Sequence, residues 1–354
     1  MTTLKTIMAV AALTAMPAAV AAHDFAVPVT GATLYFNVTD TVTPAVTLTY
    51  EGSIASGKAC TASGQIEIPA KVRNDGTVYA VTAIGPKAFS GATSLTAVIM
   101  PSTVSEIGDF AFEKCTCLER IVYPGKQVKL GQGVFFRCTS IRDISFGSDW
   151  HTIDFKPYRW SDSLKTLRVP AKVGKLHNMK SLAVLEAIYV DANNAKFSSH
   201  EGVLYDKGGK VLYGAPRSYK GALRIKEGTE KVLPGALIDC PQITKIDVPA
   251  TVKSMSFRET SRMETLAEVI LRSGKPITTA YKNGEGTFLL QVANQEAKLT
   301  VAKGSKKVYA SLLAADAGEY CESQEAGCVA YPVREEQMPS AKNLKGVKDI
   351  SSYE

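Results

Sequence analysis

The sequence of 354 residues has four histidines and two tryptophans, and only 21% of it is charged. The histidines His23, His151, His177 and His200 are scattered. None belongs to a His-Glu-x-x-His pair or another metal-ligand spacing. No serine sits in a Gly-x-Ser-x-Gly elbow, and no glycine-rich phosphate loop is present. No cysteine is paired in sequence with a histidine as a nucleophile would require. Lysine and arginine exceed acids by 41 to 34, a net charge of +7, and they form no dense basic run. That argues against a nucleic-acid partner. Beyond the first 22 residues no apolar stretch approaches the ~20 that a membrane helix needs. Seven cysteines are too few for a disulfide scaffold. With 45% hydrophobic residues, wholesale disorder and a collagen-like fibre are excluded. What remains is a non-enzymatic reading, without cofactor or metal.

The first segment, residues 1–22, reads as a secretory signal peptide. It has one positive charge at Lys5, an alanine-rich apolar run from Ile7 to Val20, and small residues at Val20 and Ala22 before a cut at His23. Export is expected, to the cell surface or medium or into a periplasm, with no transmembrane helix left after cleavage.

From Val81 the chain repeats itself. VTAIGPKAFSGATSLTAVIMPST, VSEIGDFAFEKCTCLERIVYPGK and QVKLGQGVFFRCTSIRDISFGSD align at a step of 23 residues. The columns are Ile84, Ile107, Leu130; Gly85, Gly108, Gly131; Phe89, Phe112, Phe135; Leu95, Leu118, Ile141; and Val98, Ile121, Ile144. A strand-closing residue recurs at Pro69, Pro101, Pro124, Gly147, Pro170, Asp191, Lys226, Pro249, Arg272 and Ala302, and five of the nine intervals are 23. Each unit is too small to bury its own apolar face, so neighbours must stack. The expected fold is an α/β-type solenoid of about ten turns. Short strands ending at proline align into a parallel sheet, and the stretch between them is a short helical or tight-turn segment.

The expected organisation is an N-terminal β cap and lead-in turn over 23–80, repeats over 81–274, a C-terminal repeat or cap over 275–336 and a loose polar tail over 337–354. Alternation at Leu34, Phe36, Val38 and again at Val46, Leu48, Tyr50 predicts a hairpin that caps the open sheet edge. RNDGTVY and YDKGGKVLY each predict an inserted hairpin, the second within about 192–222. HNMKSLAVLEA looks helical. DANNAKFSSHEG begins like a calcium loop but lacks its glycine and final glutamate, and reads as a loop leading to the hairpin. The turns holding Asp154, Pro157 and Tyr158, and Glu259 and Thr260, depart from the columns. Irregular loops with an intact sheet are expected there.

The columns Ile-Gly-x-x-Ala-Phe followed by Leu-x-x-Ile-x-x-Pro, as in IGDFAFEKCTCLERIVYP, resemble the BspA-like leucine-rich repeats of bacterial secreted and surface proteins, Bacteroidetes type. The resemblance covers about residues 24–315. It implies an arc-shaped scaffold that binds a protein or glycan, such as host matrix or another bacterial surface. Asp40-Thr41-Val42 and Asp162-Ser163-Leu164 resemble the O-glycosylation motif of the same bacteria.

The candidate ligand face is the outward side of the strands. It carries Ala97, Arg120, Asp143, Thr166, Ala187, Lys245 and Glu268 in one row and Ile99, Val122, Ser145, Arg168, Tyr189, Asp247 and Ile270 in the next. Ile99, Arg120, Val122, Arg168 and Tyr189 are the chosen anchors, because arginine and aromatic residues dominate hot spots. Two alternatives stand beside this adhesion reading. One is a structural surface or periplasmic component without a soluble ligand. The other is a polysaccharide-active enzyme using clustered carboxylates such as Asp143, Asp247 and Glu268. Cys115, Cys138 and Cys240 share a column with Ala92 and read as core thiols, with a disulfide between the first two left open. Cys321 and Cys328 are candidates for a disulfide in an exported chain.

Overall fold

The computed structural model describes residues 23–50, 60–123, 125–256, 263–275, 277–281, 284–286, 298–303, 305 and 350–353. The leader 1–22, Pro124, Glu259, Thr260, Cys321 and Cys328 lie outside them. The fold is strand-rich and its sheets are built largely of parallel pairs. Among the described residues there is no α-helix, only the 3-10 turns Lys156–Tyr158 and Met179–Ser181. The helical component expected from the sequence is therefore not what fills the stretch between strands.

The amino end is an antiparallel meander of Phe25–Val29, Ala32–Asp40 and Ala45–Thr49. Leu34, Phe36, Val46 and Leu48 turn inward and are fully buried. Ala45–Thr49 then pairs in parallel with Thr77–Ile84, so the meander covers the open side of the first turn. Lys71–Asn74 forms a hairpin with Thr77–Ile84 through Asp75-Gly76, both at positive φ, the geometry a two-residue turn requires.

Successive turns are joined by three ladders. The first comprises Ser63–Glu67, Ser94–Ile99, Arg120–Val122 and Asp143–Ser145, all parallel. The second comprises Thr77–Ile84, Glu106–Ile107 and Lys129–Leu130. The third runs through the tight turns. Lys87, Phe89 and Gly91 donate their N–H groups to the carbonyls of Asp109, Ala111 and Glu113, at 3.0, 2.7 and 2.8 Å. Phe110, Phe112 and Lys114 do the same to Gln132, Val134 and Phe136, at 2.9, 2.9 and 2.8 Å. Each such turn is bracketed by two left-handed residues: Lys87 and Gly91, Phe110 and Lys114, Gly133 and Arg137. For the non-glycine residues that conformation costs roughly 1–2 kcal/mol each. It is offset by aiming alternate N–H groups at the next turn instead of back along a helix.

The core between the ladders is the set of repeated columns. Phe89, Phe112, Phe135 and Tyr158 stack face to face with ring centroids 5.0, 5.5 and 5.1 Å apart. The glycine column has a steric cause. A Cβ on Gly108 would meet the Pro86 nitrogen at 2.6 Å, and one on Gly131 would meet the Asp109 nitrogen at 2.8 Å.

Where that column changes to Asp154, the second ladder stops. Thr152–Asp154 pairs only with Lys175–His177. The strand ladder stops as well, for Asp143–Ser145 does not pair with Thr166–Val169, which pairs instead with Ala187–Val190. The sheet is thus interrupted at this irregular turn, against expectation, while Ile243–Val248 and Glu268–Leu271 remain paired across the other one. The Gln127 amide stitches the gap, donating to the Thr152 carbonyl at 2.9 Å and accepting from the His151 and Thr152 N–H groups.

The insertion is a three-stranded antiparallel meander, Phe197–His200, Val203–Asp206 and Val211–Gly214. Its first strand lies in the segment expected to be a loop. The turn between the first two strands is Glu201-Gly202, both at positive φ. Buried Asn194 shapes the approach, donating to the Pro170 and Val173 carbonyls and accepting from the Lys196 and Phe197 N–H groups, all at 2.8 Å. The meander divides the core in two. Leu204 belongs to the cluster that begins at Leu34, and Val203 and Tyr205 to the cluster that ends at Val301. Beyond it runs a second parallel sheet of Gly221–Arg224, Ile243–Val248, Glu268–Leu271, Lys298–Ala302 and Ile350–Tyr353. The last strand falls within the stretch expected to be a loose tail. The helical part of HNMKSLAVLEA is limited to the 3-10 turn Met179–Ser181, entered through Asn178 in the left-handed region.

Candidate binding surface

Parallel register puts equivalent residues of adjacent turns side by side. Ala97, Arg120 and Asp143 are neighbours, and so are Ile99, Val122 and Ser145. Thr166 adjoins Ala187, and Arg168 adjoins Tyr189. The five chosen anchors therefore fall into two groups. Ile99, Arg120 and Val122 lie on one sheet, and Arg168 and Tyr189 lie beyond the interruption.

Ile99 and Val122 are half-buried and adjacent, a short apolar strip. Arg120 is already engaged by Asp143 at 3.3 Å, and small Ala97 beside it is almost covered. Tyr189 is 49% exposed, and the Arg168 guanidinium lies over its ring at 5.8 Å. Arg168 makes no ion pair among the described residues, so its N–H donors remain available to a partner. Gln65 and Glu67 extend the same two rows toward the amino end. They were missed because their unit departs from the repeat columns.

The second sheet is different. Asp247 is nearly buried and held in a fork by Arg272, at 2.7 Å from Nε and 2.6 Å from Nη2. Lys245 pairs with Glu268 at 2.8 Å, and Glu268 also accepts from the Thr300 hydroxyl at 3.2 Å. Asp143, Asp247 and Glu268 are therefore each tied to a cation. They do not face one another across a cleft as a glycosidic acid and base would.

The cysteine column is built into the backbone. The Cys115 thiol donates to the Phe89 carbonyl at 3.1 Å, Cys138 to Phe112 at 2.9 Å and Cys240 to Pro216 at 3.4 Å. All three are buried, and Cys115 and Cys138 are free thiols rather than a disulfide. Its hydrogen bond with Cys138, together with burial, pushes the Cys115 thiol well above the ordinary range, the opposite of an activated nucleophile. Among the described residues no group of three His, Cys, Asp or Glu side chains is arranged to hold a metal ion, and no helix is long and apolar enough to cross a membrane. Of the two O-glycosylation-like stretches, Thr41 is exposed at a hairpin tip where Asp40 accepts from the Val42 and Thr43 N–H groups. Leu164, by contrast, is buried in the core beside half-buried Ser163.

Residues 60–180 match the family model for the BspA type leucine rich repeat region, in six copies. No curated protein matches the chain. Among solved structures, a leucine rich cell surface protein of Faecalibacterium prausnitzii is 16% identical, with 94% of this chain and 95% of that one covered and a TM-score of 0.39. The pneumococcal vaccine antigen PcpA is 15% identical, with coverages of 81% and 95% and a TM-score of 0.40. A leucine-rich repeat protein of Bacteroides ovatus is 18% identical, with coverages of 77% and 78% and a TM-score of 0.38. With six units matched over 60–180 and the same unit step in its backbone ladders, this region of the chain belongs to the BspA-type leucine-rich repeats.

Proposed function

We propose that the protein is an exported, non-enzymatic interaction module of the cell surface or its surroundings. Residues 1–22 direct export. A solenoid of about ten turns, capped at 23–80 and again beyond 275, presents the strand face to a protein ligand in adhesion. The observation that supports this most is the outward side of the parallel strands, which carries the Ile99–Val122 strip on one sheet and the exposed Arg168–Tyr189 stack on the next. Apolar strip and uncommitted arginine together suit a protein surface better than a neutral glycan. Strands in fixed register hold these side chains before binding, so little ordering entropy is lost on association.

The test is a binding screen of the mature chain against purified host matrix proteins and purified bacterial surface proteins. It is repeated with Arg120→Ala, Arg168→Ala and Tyr189→Ala combined. A hot-spot loss of about 2 kcal/mol or more, roughly thirtyfold in affinity, is expected. Survival of every detected affinity would show that this face is not the binding face.

A further inference from the structure

Several charges among the described residues are matched across adjacent turns. Lys129 meets Glu106, Arg142 meets Glu119, Lys172 meets Asp149, and Lys210 and Lys253 share Glu230. The tight-turn side of residues 132–140 and 155–161 departs from this. Arg137, Lys156 and Arg159 are exposed there, the two segments contain no acid, and none of the three makes an ion pair among the described residues. In the preceding turn the equivalent positions hold Glu113 and Lys114, paired with each other at 3.5 Å.

The same two segments carry the exposed aromatic surface of this side. Trp160 is 36% exposed and packs edge-on against Phe136 of the previous turn, with centroids 5.3 Å apart. The Arg137 guanidinium lies 5.3 Å from the Phe136 ring centroid, and that of Arg159 lies 4.9 Å from Trp160. A guanidinium held over a ring keeps N–H donors for a bidentate oxyanion. The two arginines stand on adjacent turns, on either side of the Phe136–Trp160 contact. A polymer with closely spaced anions can therefore engage both.

We infer that this patch of Phe136, Arg137, Lys156, Arg159 and Trp160 is a second binding site, for an anionic glycan bearing carboxylate or sulfate groups. The rim favours a glycan over an acidic peptide. Exposed neighbours include Gln132 and Thr139, with Asp154 and Asp162 one at each end of the second segment, whereas the aliphatic side chains Val134 and Ile141 are buried. A peptide finds no aliphatic surface to cover, but a sugar ring finds an aromatic edge and face flanked by cations.

The test is calorimetric titration of the mature chain with polygalacturonate and with dextran sulfate at about 50 mM salt, where screening is weak. Neutral dextran and poly-glutamate serve as controls. The site requires binding of at least one anionic glycan, none of dextran, and weaker binding of poly-glutamate. Arg137→Gln with Arg159→Gln, which touches only exposed side chains, should weaken glycan binding at least about tenfold. Adding Trp160→Ala should weaken it further. Arg168→Ala with Tyr189→Ala on the strand face should leave it unchanged, so this site and the strand-face reading fail separately. Absence of glycan binding, equal binding of poly-glutamate, or full binding by the arginine variant would each overturn the site.

Discussion

Replacing Phe112 by alanine removes the middle of the ring stack. Phe112 is fully buried, 5.0 Å from Phe89 and 5.5 Å from Phe135, and both pairs are nearly parallel at 8° and 17°. A buried phenylalanine truncated to alanine costs about 3–5 kcal/mol. Two ring pairs at about 0.5–1.5 kcal/mol each supply a good part of that. Both tryptophans of the chain, Trp150 and Trp160, lie in the same half of the molecule, and Trp150 packs against Tyr123 and Phe146 of the first core. Urea unfolding followed by tryptophan fluorescence therefore reads the core that contains Phe112. Combined with Phe135→Ala the two losses should couple by about 0.5–3 kcal/mol. Combined with Leu223→Ala, in the second core, they should add within about 0.5 kcal/mol. A loss below about 1 kcal/mol for Phe112→Ala, or equal coupling to Phe135 and Leu223, would refute nearest-neighbour stacking as the source of stability.

Four further outcomes can be measured. Tyr123 and Tyr158 share a buried hydroxyl pair at 3.0 Å, so Tyr123→Phe should cost about 1–3 kcal/mol by stranding its partner, and the double phenylalanine variant should recover most of that in urea unfolding. Gly131→Ala, whose Cβ would lie 2.5 Å from Asp109 Oδ1, should destabilise by about 1–3 kcal/mol in the same assay. Gly174→Ala, with its nearest neighbour at 3.6 Å, should instead be neutral or gain up to about 1 kcal/mol. Hydrogen bonds from Lys253 and Lys210 hold the Glu230 carboxyl down at about 2. Its stabilising contribution is complete above the ordinary glutamate value and disappears as pH falls toward 2. An NMR titration should show that midpoint, and Lys253→Ala should move it up.

The ladders were legible in the sequence because each column has one physical demand. Glycine marks backbone contact at Gly108 and Gly131, a ring marks the stack at Phe89 and Phe112, and a small thiol fits the buried position of Cys115 and Cys138. The tight turns were less legible. Phe110, Lys114 and Arg137 adopt the left-handed region without being glycine, and nothing in their identity announces it. The turn Glu201-Gly202 also escaped notice, because glutamate is an uncommon first residue for that geometry. On the ligand face, alternation placed Ile99, Val122, Arg168 and Tyr189 in their rows. The partner of Asp247 is Arg272, in a column otherwise dominated by proline, so the commitment of that carboxylate appears only in three dimensions. The sheet interruption falls at the turn in which Asp154 stands in the glycine column, and the intact strand pattern at Leu164 and Leu167 conceals it.

The inter-turn partners give the chain a ruler. Cys138 reaches back to Phe112, Lys129 to Glu106, and Phe112 forward to Val134, so every bond is addressed to the neighbouring unit rather than to a particular place in the sequence. Excising or duplicating one whole unit between 104 and 149 returns each backbone donor and the column thiol to an equivalent carbonyl. Losing a single residue within a strand of this region shifts the register of that ladder. Gene-level change in this region is therefore cheap in steps of one unit and severe in steps of one codon, which lets the molecule alter its reach without redesigning its interior.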